Sequence, residues 1–323
     1  MRMPEKCLLV GLGQIGMGYD LAGGSDDAIR SHAKAFSLHP AFELTAAVDA
    51  SLEKCDLFLQ HYGGNVFQNL QQALEDVQPS IVVIATPTTS HSTVLEHVLR
   101  YTRPKAILCE KPLAYDLAEA TKIVEHCKNT EVDLFVNYIR RADPGVLEVK
   151  KRIKSLAIGL PLKGNVWYSK GFLNNGSHFF NLLEFWLGDF VQANVLEPGI
   201  LLENNDCEPD VQVEFERGKV IFQAAWGEAY SHNTLELLCP SGRLLYEEGG
   251  RSITWQSVQA HSSLVGYKVL APEHETLVQD MGRYQLNVVN QLASACANKP
   301  HSLCTGWQAL RSLKSMYQII DQR

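Results

Sequence analysis

An α/β fold is predicted, with an N-terminal doubly wound parallel sheet followed by an α+β domain on an open, mainly antiparallel sheet. Three observations carry that prediction. A short apolar run, Cys7-Leu8-Leu9-Val10, breaks straight into the glycine-spaced turn Gly11-Leu12-Gly13-Gln14-Ile15-Gly16. Apolar runs of strand length then alternate with helix-periodic segments as far as Tyr138. Beyond that point the runs become largely alternating in polarity.

Strand character recurs at Leu8 to Val10, Leu44 to Val48, Ile81 to Ala85, Ala106 to Cys109 and Leu134 to Val136, each nearly all apolar. Such runs belong to strands covered by helices on both faces. Between them, Ser31 to Leu38, Leu52 to Tyr62, Val94 to Tyr101 and Leu117 to Lys128 place apolar residues on one face and charges on the other. The alternation means right-handed βαβ units and a parallel sheet. A boundary near Tyr138 divides the chain into domains 1–138 and 139–323. Asp143-Pro144 reads as an N-cap with a first-turn proline, opening a helix toward Leu156. Val211 to Phe215 and Val220 to Trp226 flank Gly218 as a hairpin, with more strand candidates at Leu162 to Lys170, Thr234 to Leu238 and Ile253 to Trp255. Two helical segments, Thr276 to Ala297 and Gly306 to Ile320, close the chain.

Of 323 residues, 46% are hydrophobic and 20% charged, an ordinary globular balance. A formal net charge of −7 offers no basic footprint for nucleic acid or an anionic membrane surface, so a small-molecule partner is expected. The eight cysteines are scattered, without the close pairs of a zinc knuckle or redox dithiol. No metal site and a reduced, cytoplasmic setting are therefore expected. No apolar run approaches membrane-spanning length.

The glycine turn is the phosphate-cradling fingerprint of dinucleotide-binding, Rossmann-type folds. Gly11 permits the tight turn, Gly13 lets backbone N–H groups approach a pyrophosphate, and Gly16 lets the next helix pack closely, its N-terminus toward the anion. Asp49 ends the second apolar run, where a carboxylate accepts hydrogen bonds from ribose hydroxyls; its competing reading is a turn or cap residue. Ala50 and Ser51 follow rather than an arginine, which favours NAD over NADP. The Gly11-to-Asp49 distance exceeds the usual ~20 residues, and the surplus falls at Tyr19 to Arg30, an insertion beside the cofactor. Thr86-Pro87-Thr88-Thr89-Ser90-His91 follows the Ile81 run at the ligand edge of such a sheet, with helix capping as the alternative. Glu110-Lys111-Pro112 carries a lysine to the same edge, where partial drying suits it to proton transfer. Asn174-Asn175-Gly176-Ser177-His178 reads as loop and cap ahead of an amphipathic helix, with His178 in the first turn. An isolated histidine there also reads as a packed core residue.

Taken in this order, the pieces resemble the Gfo/Idh/MocA oxidoreductase family along essentially the whole chain. They are Gly11 to Gly16, His32 to Phe36 before Pro40, Asp49, Thr86-Pro87 with His91, Glu110-Lys111-Pro112 and the run to His178. The resemblance implies a Rossmann domain binding NAD through Gly11, Gly13, Gln14, Ile15, Gly16, Asp49, Thr86, Pro87, His91, Glu110 and Lys111. It also implies an Asp-x-x-x-His acid–base pattern, and here Asn174 stands at the aspartate position, where an amide holds a hydroxyl but takes no proton. His178 is then the leading base candidate, and Lys111 orients the hydroxyl. Arg140 or Arg141 holds an anionic group, and Arg140, Tyr168, Asn174 and Asn175 are expected on the substrate side, with Lys170 and the loop from Gly199 to Glu208. The implied reaction is oxidation of a secondary hydroxyl on a sugar or sugar-nucleotide. The alternatives are an inositol or non-sugar carbonyl substrate, or a catalytically retired NAD or sugar sensor, a reading motivated by Asn174. The family's sheet commonly pairs with another subunit, so a homodimer or homotetramer is expected, through a face such as Val211, Val213 and Phe215.

Overall fold

The computed structural model describes residues 3–21, 27–202 and 206–322, so residues 22–26 of the expected insertion and 203–205 of the pocket loop lie outside it. Two compact units emerge: 1–142 with 282–310, and 143–281 with 311–323. The division therefore falls after Ala142, and a C-terminal segment rejoins the first unit.

In the first unit β1 (Glu5–Val10), β2 (Phe42–Val48), β3 (Asn65–Phe67), β4 (Ile81–Ile84), β5 (Ala106–Cys109) and β6 (Asp133–Val136) run parallel in the order β3-β2-β1-β4-β5-β6. Every residue of β4 and β5 is buried, as strands sandwiched by helices must be. Helices α1 (His32–Leu38), α2 (Leu52–Tyr62), α3 (Leu70–Val77), α4 (His91–Tyr101) and α5 (Leu117–Asn129) alternate with the strands. Side chains of Ser31, Ser51, Asn69 and Asp116 cap α1, α2, α3 and α5, each accepting a backbone N–H three residues on. The order reverses between β1 and β4, so their carboxyl ends open the crevice where such sheets take ligands.

The second unit opens with α6 (Pro144–Lys154), capped by Asp143 with proline at its start as the sequence predicts. Its sheet comprises β7 (Leu162–Tyr168), β8 (Phe190–Glu197), β9 (Asp210–Phe215), β10 (Gly218–Ala224), β11 (Thr234–Cys239), β12 (Gly242–Glu247), β13 (Ser252–Ala260), β14 (Lys268–Leu270) and β15 (Glu275–Thr276). The order is β14-β13-β12-β11-β7-β10-β9-β8, antiparallel except for β7 with β10, and β15 pairs with β13. Helix α7 (Ser177–Leu187) lays Phe179, Phe180 and Trp186 against Phe215, Phe222 and Tyr246 of this sheet. Val211, Val213 and Phe215 share that covered face and are fully buried within the unit. They are not the subunit-pairing surface expected of them. Strict alternation marks one buried face without saying what buries it, and here α7 does.

The chain returns to the first unit through α8 (Tyr284–Cys296), β16 (Cys304–Thr305), antiparallel to β6, and the start of α9 (Gly306–Ile320). The helix expected from Thr276 thus begins only at Tyr284, because Glu275–Thr276 pairs with β13 first.

Candidate active site

At the carboxyl edge of the first unit, Gly11 adopts φ +98°, and a Cβ there would stand 2.8 Å from the Ala85 carbonyl. Only glycine fits. A Cβ on Gly16 would meet the Gly11 carbonyl oxygen at 2.1 Å, so Gly16 lets the turn close on itself rather than seating a helix on the strand. Gly13 differs: nothing lies within 4 Å of its Cβ position, so its backbone borders open space. Asp49 Oδ2 accepts the Leu12 N–H (2.7 Å) and Oδ1 the Ser51 N–H (3.0 Å), while Lys54 Nζ lies 3.7 Å away. The carboxylate therefore shapes the turn in addition to any ribose contact. Thr86 Oγ1 is buried without a hydrogen-bond partner among the described residues, and Thr86 N lies 2.8 Å from the Gly11 Cβ position. An open glycine turn with an orphaned hydroxyl beside it fits a polar ligand of pyrophosphate type.

No helix starts at Gly16. The Gly13 carbonyl accepts N–H groups of Met17 (2.9 Å) and Gly18 (3.0 Å), and the chain leaves through a 3-10 turn at Gly18–Asp20. Carbonyls of Ile15 and Gly16 accept instead from His32 (3.0 Å) and Ala33 (2.9 Å), seventeen residues on rather than four. The insertion therefore splits the first turn of the helix that follows β1. Asp20 closes its base by accepting the Arg30 N–H (3.0 Å) and both the N–H (2.7 Å) and hydroxyl (2.6 Å) of Ser31. Gln14 is exposed and Ile15 half-buried on this turn.

His91 is fully buried, with Nδ1 3.1 Å from the Pro112 carbonyl and Nε2 3.0 Å from the Thr86 carbonyl. It ties the Thr86-Pro87 loop to the loop after Lys111, and burial lowers its pKa. Half-buried Lys111 precedes a cis peptide to Pro112. Behind it, Glu110 Oε1 accepts from Asn137 Nδ2 (2.6 Å) and meets His32 Nε2 at 2.8 Å. Gln285 of α8 bonds Asn137 (3.2 Å) and approaches His32 Nε2 (3.4 Å). Burial pushes the Glu110 carboxyl up, but the bonds from His32 and Asn137 hold it below the ordinary carboxylate range. Nothing in the sequence links His32, Asn137 and Gln285 as one network, since their contacts span up to 253 residues. Arg141 is buried and donates to Gln308 Oε1 (3.1 Å), while Arg140 is half-buried.

In the second unit Asn174 and Asn175 lie in a π-helical turn, Gly171–Gly176, that leads into α7, with His178 half-buried at the helix start. The expected loop is thus a wound turn. Asn174 Nδ2 donates to the Lys170 carbonyl (3.1 Å), and its backbone N–H donates to Asp206 Oδ2 (3.0 Å). Lys170, Gly199, Ile200, Leu202, Glu208 and Trp226 border a cleft of about 760 Å³. Tyr168 does not join them. It is fully buried, its hydroxyl donating to the Pro209 carbonyl (2.6 Å), because β7 points it into the aromatic core. Among the described residues no group of three or more His, Cys, Asp or Glu is placed to hold a metal ion. Among the described residues no helix is long and apolar enough to cross a membrane.

A sheet in the order β3-β2-β1-β4-β5-β6 with an open glycine turn at its switch point defines a dinucleotide-binding domain. Residues 6–138 match the model of the Gfo/Idh/MocA oxidoreductase family, described as an NAD-binding Rossmann fold. The chain is 30% identical over 142 residues to inositol 2-dehydrogenase of Rubrobacter xylanophilus, covering 42% of this chain and 39% of that protein. It is 30% identical over 144 residues to D-apiose dehydrogenase of Paraburkholderia graminis, covering 44% and 38%. The match thus spans about two fifths of these relatives' length. Aldose-aldose oxidoreductase from Caulobacter crescentus shares the fold across 99% of this chain and 97% of its own, at TM-score 0.78 and 16% identity.

Proposed function

We propose that this protein is an NAD-dependent dehydrogenase that oxidises a secondary hydroxyl of a sugar or sugar-nucleotide, reversibly. The observation that carries the reading is the carboxyl edge of the first unit. There an open glycine turn, the Thr86 hydroxyl and Lys111 are gathered on strand ends that a buried network holds rigid. Gly11 to Gly16 and Thr86-Pro87 hold the pyrophosphate, and Asp49 takes the ribose hydroxyls. The absence of an arginine after Asp49 favours NAD over NADP. NAD, when bound, supplies the hydride acceptor.

The chain's own residues do the rest. Lys111 orients the reacting hydroxyl and stabilises charge on its oxygen, while His178 accepts the hydroxyl proton. Asn174 and Asn175 position the substrate by hydrogen bonds. Arg140 or Arg141 holds an anionic group. Glu110 and His91 act through the loops they tie. An inositol is the alternative substrate, favoured by the inositol 2-dehydrogenase likeness. The working form is a cytoplasmic homodimer or homotetramer joined through the outward sheet face of the second unit. Sedimentation at micromolar concentration checks this, and a monomer refutes it.

The test is reduced-nicotinamide absorbance after mixing protein-stoichiometric NAD with UDP-, dTDP- and GDP-sugars, uronates, inositols and free polyols. A signal that Lys111→Ala removes is expected. Silence across the panel despite NAD binding would favour a sensor.

A further inference from the structure

The turn that carries Asn174 is held by a residue far along the chain. Asp206 is only 6% exposed, and its carboxylate lies against the backbone of the π-helical turn. Oδ1 accepts the N–H groups of Leu173 (2.8 Å) and Cys207 (2.8 Å), and Oδ2 accepts that of Asn174 (3.0 Å). Gly171 makes room for it: φ is +93°, and a Cβ there would stand 2.0 Å from Oδ2. Glu208 holds the start of the turn, its Oε1 accepting the Gly171 N–H (3.0 Å). Lys170 enters at φ 65°, a conformation that costs a non-glycine residue free energy unless its surroundings enforce it. The enforced turn delivers its last bonds to the helix start. Asn174 Nδ2 donates to the Lys170 carbonyl, and the Asn174 carbonyl accepts the Ser177 hydroxyl at 2.7 Å. His178 is the next residue. A chain of hydrogen bonds therefore runs from Asp206 through Asn174 to the base of α7, in a winding that is rare and concentrated at functional sites.

We propose that Asp206 is the positioning carboxylate for the Asn174–His178 segment, and that its presence is why position 174 carries an amide. A carboxylate at 174 would have no N–H for the Lys170 carbonyl. It would also add a third carboxylate to a turn whose N–H groups Asp206 and Glu208 already take. The chemistry divides accordingly: Asp206 touches backbone only and sets geometry, and Asn174 stays neutral so that its amide faces both turn and substrate. The proposal rests on His178 being the base of the reaction proposed above.

The test uses the full chain with histidine imidazoles labelled in ¹⁵N, the His178 signal being assigned by its loss in His178→Gln. Asp206→Asn keeps the shape but offers an N–H₂ where an acceptor is needed. It is expected to shift the His178 resonance and lower kcat about tenfold on the substrate found in the panel, with KM and NAD affinity within about twofold. Asn174→Asp is expected to lower kcat by a similar factor, and Asn174→Asp with Asp206→Asn to recover neither loss, since the Lys170 carbonyl still lacks its donor and the turn its acceptor. An unmoved His178 signal with unchanged kcat in Asp206→Asn overturns the proposal, as does a rise in kcat in Asn174→Asp. If Asp206→Asn does not fold, Asn174→Asp alone decides by the direction of its effect on kcat and the His178 signal. Full turnover in His178→Gln would refute the base assignment instead, leaving the imidazole shift to judge the positioning role separately.

Discussion

The glycine turn of the first unit and the π-helical turn of the second are both backbone devices, yet they are held in opposite ways. Around Gly11 to Gly16 the constraint is steric: Gly11 is demanded by the Ala85 carbonyl and Gly16 by the Gly11 carbonyl, while Gly13 borders open space. Around Gly171 to Gly176 the constraint is electrostatic and distant, a pair of carboxylates reaching back 32 and 37 residues to take backbone N–H groups. The first device leaves the backbone at Gly13 bordering open space. The second consumes those N–H groups internally and passes only geometry forward, so substitutions in the two turns should fail differently.

The largest contrast lies in the glycines. Gly171→Ala forces a side chain onto Asp206 Oδ2 at positive φ, and an unfolding free-energy loss of about 3 kcal/mol is expected in urea titration. The Cβ of Gly13→Val meets no atom of the described residues within 4 Å, and the variant is expected to leave the urea midpoint unchanged while weakening NAD. A stability loss at Gly13 comparable with that at Gly171 would erase the distinction. Next in size is Glu110→Gln, which replaces the charged acceptor shared by His32 and Asn137 with a neutral amide, at about 2 kcal/mol. Its pH signature has a definite sign. The folded carboxyl lies below its ordinary 4.5, so its stabilisation is present above that value and lost as pH falls through the folded one. Glu110→Gln should therefore cost most near neutrality and progressively less in acid.

His91 gives a second pH window. Burial depresses its folded pKa below the ordinary 6.5, so the folded state resists the proton that the unfolded chain takes up. The native protein should lose stability as pH falls below 6.5, and His91→Gln should flatten that limb of the denaturation profile. The smallest effect is expected of Tyr168→Phe, about 1 kcal/mol for the lost bond to Pro209 with kcat unchanged. A substantial fall in kcat with an unchanged denaturation midpoint would return Tyr168 to the substrate side.

The same contrast accounts for what is legible in the sequence. The parallel sheet shows because buried strands are nearly pure apolar runs, and the glycine turn shows because its three glycines fall within six residues, although the carbonyl that demands Gly11 belongs to Ala85. Asp143-Pro144 announces its helix for the same reason: cap and helix are adjacent. Short β3 and edge strand β8 carry too little apolar pattern to stand out. The network behind Lys111 and the grip of Asp206 join residues far apart in sequence, where no spacing rule operates. Tyr168 misleads because an aromatic beside a polar loop reads equally as pocket wall or core, and only the direction in which β7 points decides.

The most direct test of the central reading is calorimetric titration of NAD into the native chain and Gly13→Val, with urea unfolding of both. Saturable NAD binding that weakens about tenfold or more in Gly13→Val, at an unchanged unfolding midpoint, is the predicted result. Failure of the native chain to bind NAD, or equal affinity in both proteins, would contradict it.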